Sequence, residues 1–373
     1  MNDAKQQNPL MQLKTFGQSI WLDDIRRAWL NDGTLATLIG ADGICGLTSN
    51  PAIFRKSIVE NHDYDAAIAR LAQAGADVQT MYETLVMDDV RAAADLLLPT
   101  YESTQRRDGY VSLEVSPHLA HDTPATIAEA QRLWNTVARP NLMIKVPGTA
   151  AGLPAIRRLI AAGINVNVTL LFSVERYRET AEAYLVGLED RLQDGKSPDG
   201  IASVASFFLS RIDVLIDKRL DSGGMSQLRG KAAIASARLA YQVYRQLLTS
   251  PRWQALARHG AVMQRLLWAS TGTKDPGYSD VKYVEALIGA DTVNTVPLET
   301  LAAYRDHGVP ASRLEQELNA AQALPGQLAA AGIDLQSVAQ QLEAEGIQKF
   351  IEPFEQLHVV LAQRRADAIR PPR

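Results

Sequence analysis

Eight short apolar runs, each followed by a stretch with helically spaced apolar residues, constrain the fold of this chain more than any other feature. The runs are SIWLD (19–23), CGLT (45–48), VSLEV (111–115), MIKV (143–146), INVNVTLLF (164–172), SVASFF (203–208), LLWAS (266–270) and TVNTV (292–296). Between them, Thr123 to Arg139 opens on Thr-Pro and carries Ile127, Ala130 and Leu133 at helical spacing. Ser173 to Leu192 starts on an N-capping serine with Glu175 in its first turn, and Ile212, Leu215, Ile216 and Leu220 line one face of the next helix. Strands alternating with helices specify a parallel sheet jacketed by helices, and eight such units close into a (β/α)8 barrel of the TIM type. An open doubly wound sheet would place a Gly-rich phosphate loop after its first strand, and SIWLDDIRR has no glycine there. The expected architecture is one α/β domain over 1–373, with barrel strands within about 18–297. A C-terminal helical region from about 311 to 373 is read as an appended packing element, since no linker precedes it.

The bulk numbers fit that architecture. A chain of 373 residues, 46% hydrophobic and 21% charged, buries a large core without disulfides or metals. A net charge of −4 gives no basic footprint, so no nucleic-acid partner is expected. Cys45 is the single cysteine, which excludes an intrachain disulfide and points to the cytoplasm; it reads as a small packed residue. The opening MNDAKQQNPLMQLK lacks the apolar centre of a signal peptide, and no run of about 18 uncharged apolar residues predicts a membrane span. The basic RRADAIRPPR at the C-terminus is expected to be a solvated helix end and tail. Histidines 62, 118, 121, 259, 307 and 358 form neither His-x-His nor His-Glu-x-x-His, so neither metal nor cofactor is expected. The PGTAAG segment (147–152) matches no phosphate loop and reads as a strand-to-helix turn.

In such a barrel the chemistry sits at the C-terminal ends of the strands. That rule selects Asp23, Thr48, Asn50, Glu114, Lys145, Asn167, Thr169, Ser206 and Ser270. Lys145 sits inside a strand, M-I-K-V, closed by Pro147 and Gly148. An amine with lysine's ordinary pKa of about 10.4 is neutral in only about four of ten thousand molecules at pH 7. Desolvation frees such an amine as a nucleophile toward a carbonyl; the alternative is a salt-bridged or snorkelling lysine. Asp23 and Glu114 could divide proton-transfer roles, or act as a helix cap and a salt-bridge partner. Asn167 and Thr169 share one strand face by the period of two.

At T-S-N-P (48–51), M-I-K-V-P-G-T (143–149) and N-V-T-L-L-F-S (167–173) the chain resembles the transaldolase family, most closely its longer bacterial branch, over about Gln18 to Pro297. The resemblance implies a Schiff base between Lys145 and a ketose phosphate, sedoheptulose 7-phosphate or fructose 6-phosphate. Retro-aldol cleavage would leave a three-carbon dihydroxyacetone enamine for transfer to an aldose phosphate, glyceraldehyde 3-phosphate or erythrose 4-phosphate, in the non-oxidative pentose phosphate pathway. It implies that Asp23 handles the proton of the donor's C4 hydroxyl and that Glu114 acts through a water positioned by Thr169. Thr48 lies in the same matched motif, and Asn50 and Asn167 would hold hydroxyls of the three-carbon unit. Ser206 and Arg211, in S-F-F-L-S-R, would bind phosphate. In two places the chain departs from the family's pattern: Ser49 stands where threonine is common, and Lys274 where the shorter branch has a phosphate-binding arginine. Related aldolases that release free dihydroxyacetone, and a non-catalytic sugar-phosphate-binding barrel, are the competing readings. The oligomeric state is left open by the sequence.

Overall fold

The computed structural model describes residues 8–370. The first seven residues of the N-terminal stretch and the last three of the basic tail lie outside that range. Eight parallel strands form a closed barrel in chain order: β1 (Gln18–Leu22), β2 (Gly46–Leu47), β3 (Tyr110–Glu114), β4 (Leu142–Pro147), β5 (Val166–Leu171), β6 (Ser203–Phe208), β7 (Arg265–Ala269) and β8 (Thr292–Val296). Closure is by β8 on β1, in register from Gln18↔Thr292 to Leu22↔Val296. All eight expected runs are therefore strands, with boundaries shifted by a few residues at most. Among the described residues, no helix is long and apolar enough to cross a membrane.

The barrel has a polar floor. Arg265 points inward and donates from Nη1 to Asp108 Oδ1 (3.1 Å) and Arg107 O (3.1 Å). From Nη2 it donates to Ser19 Oγ (2.5 Å) and Thr292 O (2.8 Å). Trp21 fills the space above and donates from Nε1 to Asp108 at 3.2 Å. Gly46 makes that possible: a Cβ there would lie 2.5 Å from Trp21 Cδ2 and 2.6 Å from Nε1.

The helices follow the expected local signals. Helix Val174–Gln193 is capped by Ser173, whose Oγ accepts from Arg176 N at 3.1 Å. Helix Thr123–Val137 is capped one residue earlier than its Thr-Pro start, by Asp122, and stops where Ala138 turns left-handed. In the PGTAAG turn, Gly148 packs against Leu171, and Gly152 opens helix Gly152–Ala162 against the Pro147 carbonyl.

The C-terminal region forms helices Leu318–Ala330 and Leu335–Ala368. The second has 34 residues, about 50 Å at 1.5 Å per residue, enough to cross the barrel mouth. One end is fastened by Arg176 to Glu343 (3.6 Å) and Arg219 to Gln341 (2.6 Å). Toward the other end, Arg364 donates to the Ile58 and Val59 carbonyls, each at 3.0 Å, closing the end of helix Pro51–Val59. Arg365 donates to Ala76 O at 2.6 Å. A register shift in β5 between Val168 and Leu171, with Leu170 left-handed (φ 62°), brings Leu170 against Gly346 of this helix. The extension does more than pack: it supplies a wall of the cavity described next.

Candidate active site

The register of three neighbouring strands builds the centre of the site. Glu114 of β3 pairs with Lys145 of β4, which pairs with Asn167 of β5, so the three side chains stand side by side inside the barrel. Lys145 is buried, with Nζ 3.3 Å from Glu114 Oε2 and donating to Ser49 O at 3.1 Å. It is thus a salt-bridged lysine, but a buried inward-facing one. Apart from this ion contact, both Glu114 oxygens are buried without a hydrogen-bond partner. Burial outweighs the neighbouring ammonium and pushes the Glu114 carboxyl up to about 7.

Asp23, the residue directly after β1, faces the same cavity, and burial likewise raises it above the usual carboxylate range against the pull of Lys145. Its Oδ1 accepts from Thr48 Oγ1 at 2.7 Å, and Thr48 in turn contacts Thr295 Oγ1 at 2.7 Å. Asp23 therefore caps no helix: the next one begins at Arg27, and its preceding residue, Arg26, provides no side-chain cap. Below Lys145, Asn167 Nδ2 donates to Ser112 Oγ (3.0 Å) and its Oδ1 accepts from Ser206 Oγ (2.7 Å), which fixes the amide's orientation. Asn50 lines the cavity while its Oδ1 caps helix Pro51–Val59 through Ile53 N (3.0 Å). Thr169 Oγ1 is buried and unpartnered at the β5 end of the wall.

Opposite the carboxylates, Arg211 stands at the start of helix Ser210–Ser222. Its guanidinium carbon lies 5.2 Å from the Phe208 ring and 5.9 Å from the Phe350 ring, and Nη1 is buried without a partner. Ser270 adopts a left-handed backbone (φ 54°), and its carbonyl accepts from Ser210 N at 3.0 Å, tying the β7 loop to this helix start. A half-buried guanidinium with one buried, unpartnered nitrogen beside a helix N-terminus suits an anionic group. The cavity therefore joins an amine beside a titrating acid, a second raised carboxyl and an anion-binding pole.

Comparison with known proteins decides what this arrangement belongs to. The family model described as "Transaldolase/Fructose-6-phosphate aldolase" matches residues 20–361. A curated "Transaldolase 2" of Nostoc sp. is 50% identical over 364 residues, covering 94% of this chain and 96% of the relative. The "Transaldolase" of Mycobacterium tuberculosis is 51% identical over 357 residues, and that of Trichodesmium erythraeum 48% over 363, with the same coverage. The chain belongs to the transaldolase/fructose-6-phosphate aldolase family.

It is an enzyme of the transaldolase kind. Of the ten residues that the transaldolase resemblance singled out, Asp23, Thr48, Asn50, Lys145, Thr169, Ser206 and Arg211 line one cavity. Glu114 and Asn167 adjoin it through Lys145 and Ser206. Lys274 stands apart: it is exposed and lines a neighbouring cavity with Asp217, Asp221 and Arg229, near enough for its charge to act on Asp23. Sequence reasoning missed four wall residues, the small Ala269 among them. Thr295 was findable, because the period of two in TVNTV places it inward with Val293. Phe208 closes a strand already identified but carries no polar group to attract notice. Phe350 lies 55 residues beyond Thr295 in a helix with no local motif, and only the fold brings it to Lys145.

Proposed function

We propose that this enzyme transfers a dihydroxyacetone unit from sedoheptulose 7-phosphate or fructose 6-phosphate to glyceraldehyde 3-phosphate or erythrose 4-phosphate, through a Schiff base on Lys145. This is a step of the non-oxidative pentose phosphate pathway. The observation that carries the reading is the buried Lys145 amine 3.3 Å from a carboxyl that titrates near neutrality. Attack of the amine on the donor's C2 carbonyl forms a carbinolamine. Its loss of water needs an acid, and a Glu114 near pKa 7 can give and take that proton through a water held with Thr169. The resulting iminium is an electron sink for cleavage of the C3–C4 bond once Asp23 takes the proton of the C4 hydroxyl. Asn50 and Asn167 hold the retained hydroxyls, and Arg211 with Ser206 takes the phosphate. The acceptor aldehyde then reacts with the enamine by the same steps in reverse. The single buried cysteine suits a reducing compartment such as the cytoplasm.

Borohydride reduction during turnover of fructose 6-phosphate tests the covalent step. Peptide mapping should find a reduced three-carbon adduct on Lys145, and Lys145→Arg should give neither adduct nor turnover, because a guanidinium stays protonated. A label on another lysine would overturn the assignment. Dependence of turnover on an added aldose separates transfer from simple aldol cleavage.

A further inference from the structure

Phe350 is the one residue of the cavity wall, among the described residues, that comes from outside the barrel and its strand-end loops. It is buried (4% exposed), its ring centroid lies 5.3 Å from Lys145 Nζ, and the same ring reaches Arg211 at 5.9 Å. It therefore stands over the interval between the amine and the anion-binding pole. Gly346 lies one turn earlier on the same helix face. A Cβ on Gly346 would sit 3.0 Å from Leu170 Cδ2 and 3.6 Å from Arg211 Nη1, so the glycine lets the helix settle onto the mouth and sets Phe350's height. The anchors at Glu343, Gln341, Arg364 and Arg365 hold that register from both ends. Apart from Phe208 and Ala269, the rest of the wall is polar, with Asp23, Thr48, Asn50 and Thr169 in it and Glu114 beside Lys145. An apolar ring over such a site keeps water from an intermediate that water destroys.

We propose that Phe350 determines whether the bound three-carbon unit is transferred or lost, by walling the enamine on Lys145 from solvent. This rests on the Schiff-base reading above. Loss consumes one water. Its proton goes to the nucleophilic carbon of the enamine, giving an iminium, and its hydroxide adds at the imine carbon. Collapse of the carbinolamine then breaks the C–N bond, returns the hydroxyl proton to the lysine nitrogen and releases free dihydroxyacetone. Transfer needs the enamine to survive until an aldose phosphate replaces the departed one. A ring that covers the intermediate, without blocking the route to Arg211, favours transfer in this competition.

The test measures two rates in each protein. One is release of free dihydroxyacetone from fructose 6-phosphate without acceptor, and the other is three-carbon transfer to an added aldose phosphate. Phe350→Ala should raise the ratio of release to transfer by about tenfold or more, a change of only ~1.4 kcal/mol between competing barriers. Phe350→Leu, which still covers the amine, should keep a ratio near that of the unchanged protein. A purely structural role would lower both rates together and leave the ratio unmoved in both variants, which overturns the proposal. If the alanine variant does not fold, Phe350→Val opens a smaller gap and carries the same comparison. Borohydride labelling of Lys145 and transfer by the unchanged protein keep the two ideas apart. If both succeed and no variant changes the ratio, only the role of Phe350 falls; if neither occurs, the Schiff-base reading falls with it.

Discussion

Asp23 and Glu114 are both raised by burial, yet they sit on different sides of Lys145 with different partners. Asp23 is oriented by Thr48, whereas the one polar contact of the Glu114 carboxylate is the lysine. Their loss should therefore read differently. Asp23→Ala should slow carbon–carbon cleavage by about 10²–10⁴-fold, the usual worth of a positioned base. Glu114→Gln should instead slow the water steps, so that more adduct is trapped by borohydride at steady state. The limb of the kcat profile that titrates near pH 7 should vanish with it. Equal trapped adduct in the two variants, at equal loss of rate, would remove this division of labour. The cationic pole makes a second contrast. Arg211 lies within 6 Å of two ring centroids and has a buried free nitrogen, while Lys274 is exposed on an adjoining cavity. Arg211→Ala should raise KM for phosphorylated substrates by ten- to a hundredfold, about 1.4–3 kcal/mol of charge-assisted hydrogen bonding. Lys274→Ala should cost far less, and glyceraldehyde as acceptor should notice neither. Steady-state kinetics with phosphorylated and unphosphorylated acceptors decide it.

Among the elements, β2 is the most exacting. It contributes two residues, pairing Leu47 with Leu22 on one side and Gly46 with Tyr110 on the other. Trp21 leans over Gly46 and is held by its own hydrogen bond to Asp108, so neither partner can give way. Gly46→Ala should destabilise the fold by about 1–3 kcal/mol, the typical cost of overpacking a filled core. Denaturant midpoints would show it, and an unchanged midpoint would mean that the strand can shift. This element also shows where sequence legibility ends. CGLT is recognisable as a short apolar run, and its threonine closes a strand, but nothing local says that the glycine is there for a tryptophan 25 residues upstream. The same boundary divides the site. Lys145, Glu114 and Asn167 were legible because polar residues interrupt apolar strands, and barrel geometry then makes them neighbours. Phe350 and Leu170 were not, because their roles depend on where a long helix lands and on a bulge that changes a strand's alternation.

Across the whole molecule, polar burial is handled in two ways. At the floor Arg265 spends its two terminal nitrogens on four acceptors, one of them the Asp108 carboxylate, and only its Nε is left buried without a partner, which makes a structural plug. At the mouth the groups are left short of partners: both Glu114 oxygens, the Thr169 hydroxyl and an Arg211 nitrogen. Asp24, beside Asp23, belongs to the same end of the barrel; burial raises it from 3.8 to about 6, against a single backbone hydrogen bond from Ile25. A carboxyl whose pKa is higher folded than unfolded holds its proton better in the folded state. Its stabilising contribution is complete below the unfolded pKa and is lost as pH rises through the folded one, here between about pH 4 and pH 6. Above pH 6 the protein bears the full cost of a buried charge at this position. Asp24→Asn keeps the acceptor for Ile25 and removes that charge. Its stability relative to the unchanged protein should therefore rise with pH by up to about 2 kcal/mol between pH 4 and pH 8. Denaturant unfolding of both proteins at the two pH values measures this, and a difference independent of pH would show that Asp24 is as well solvated folded as unfolded.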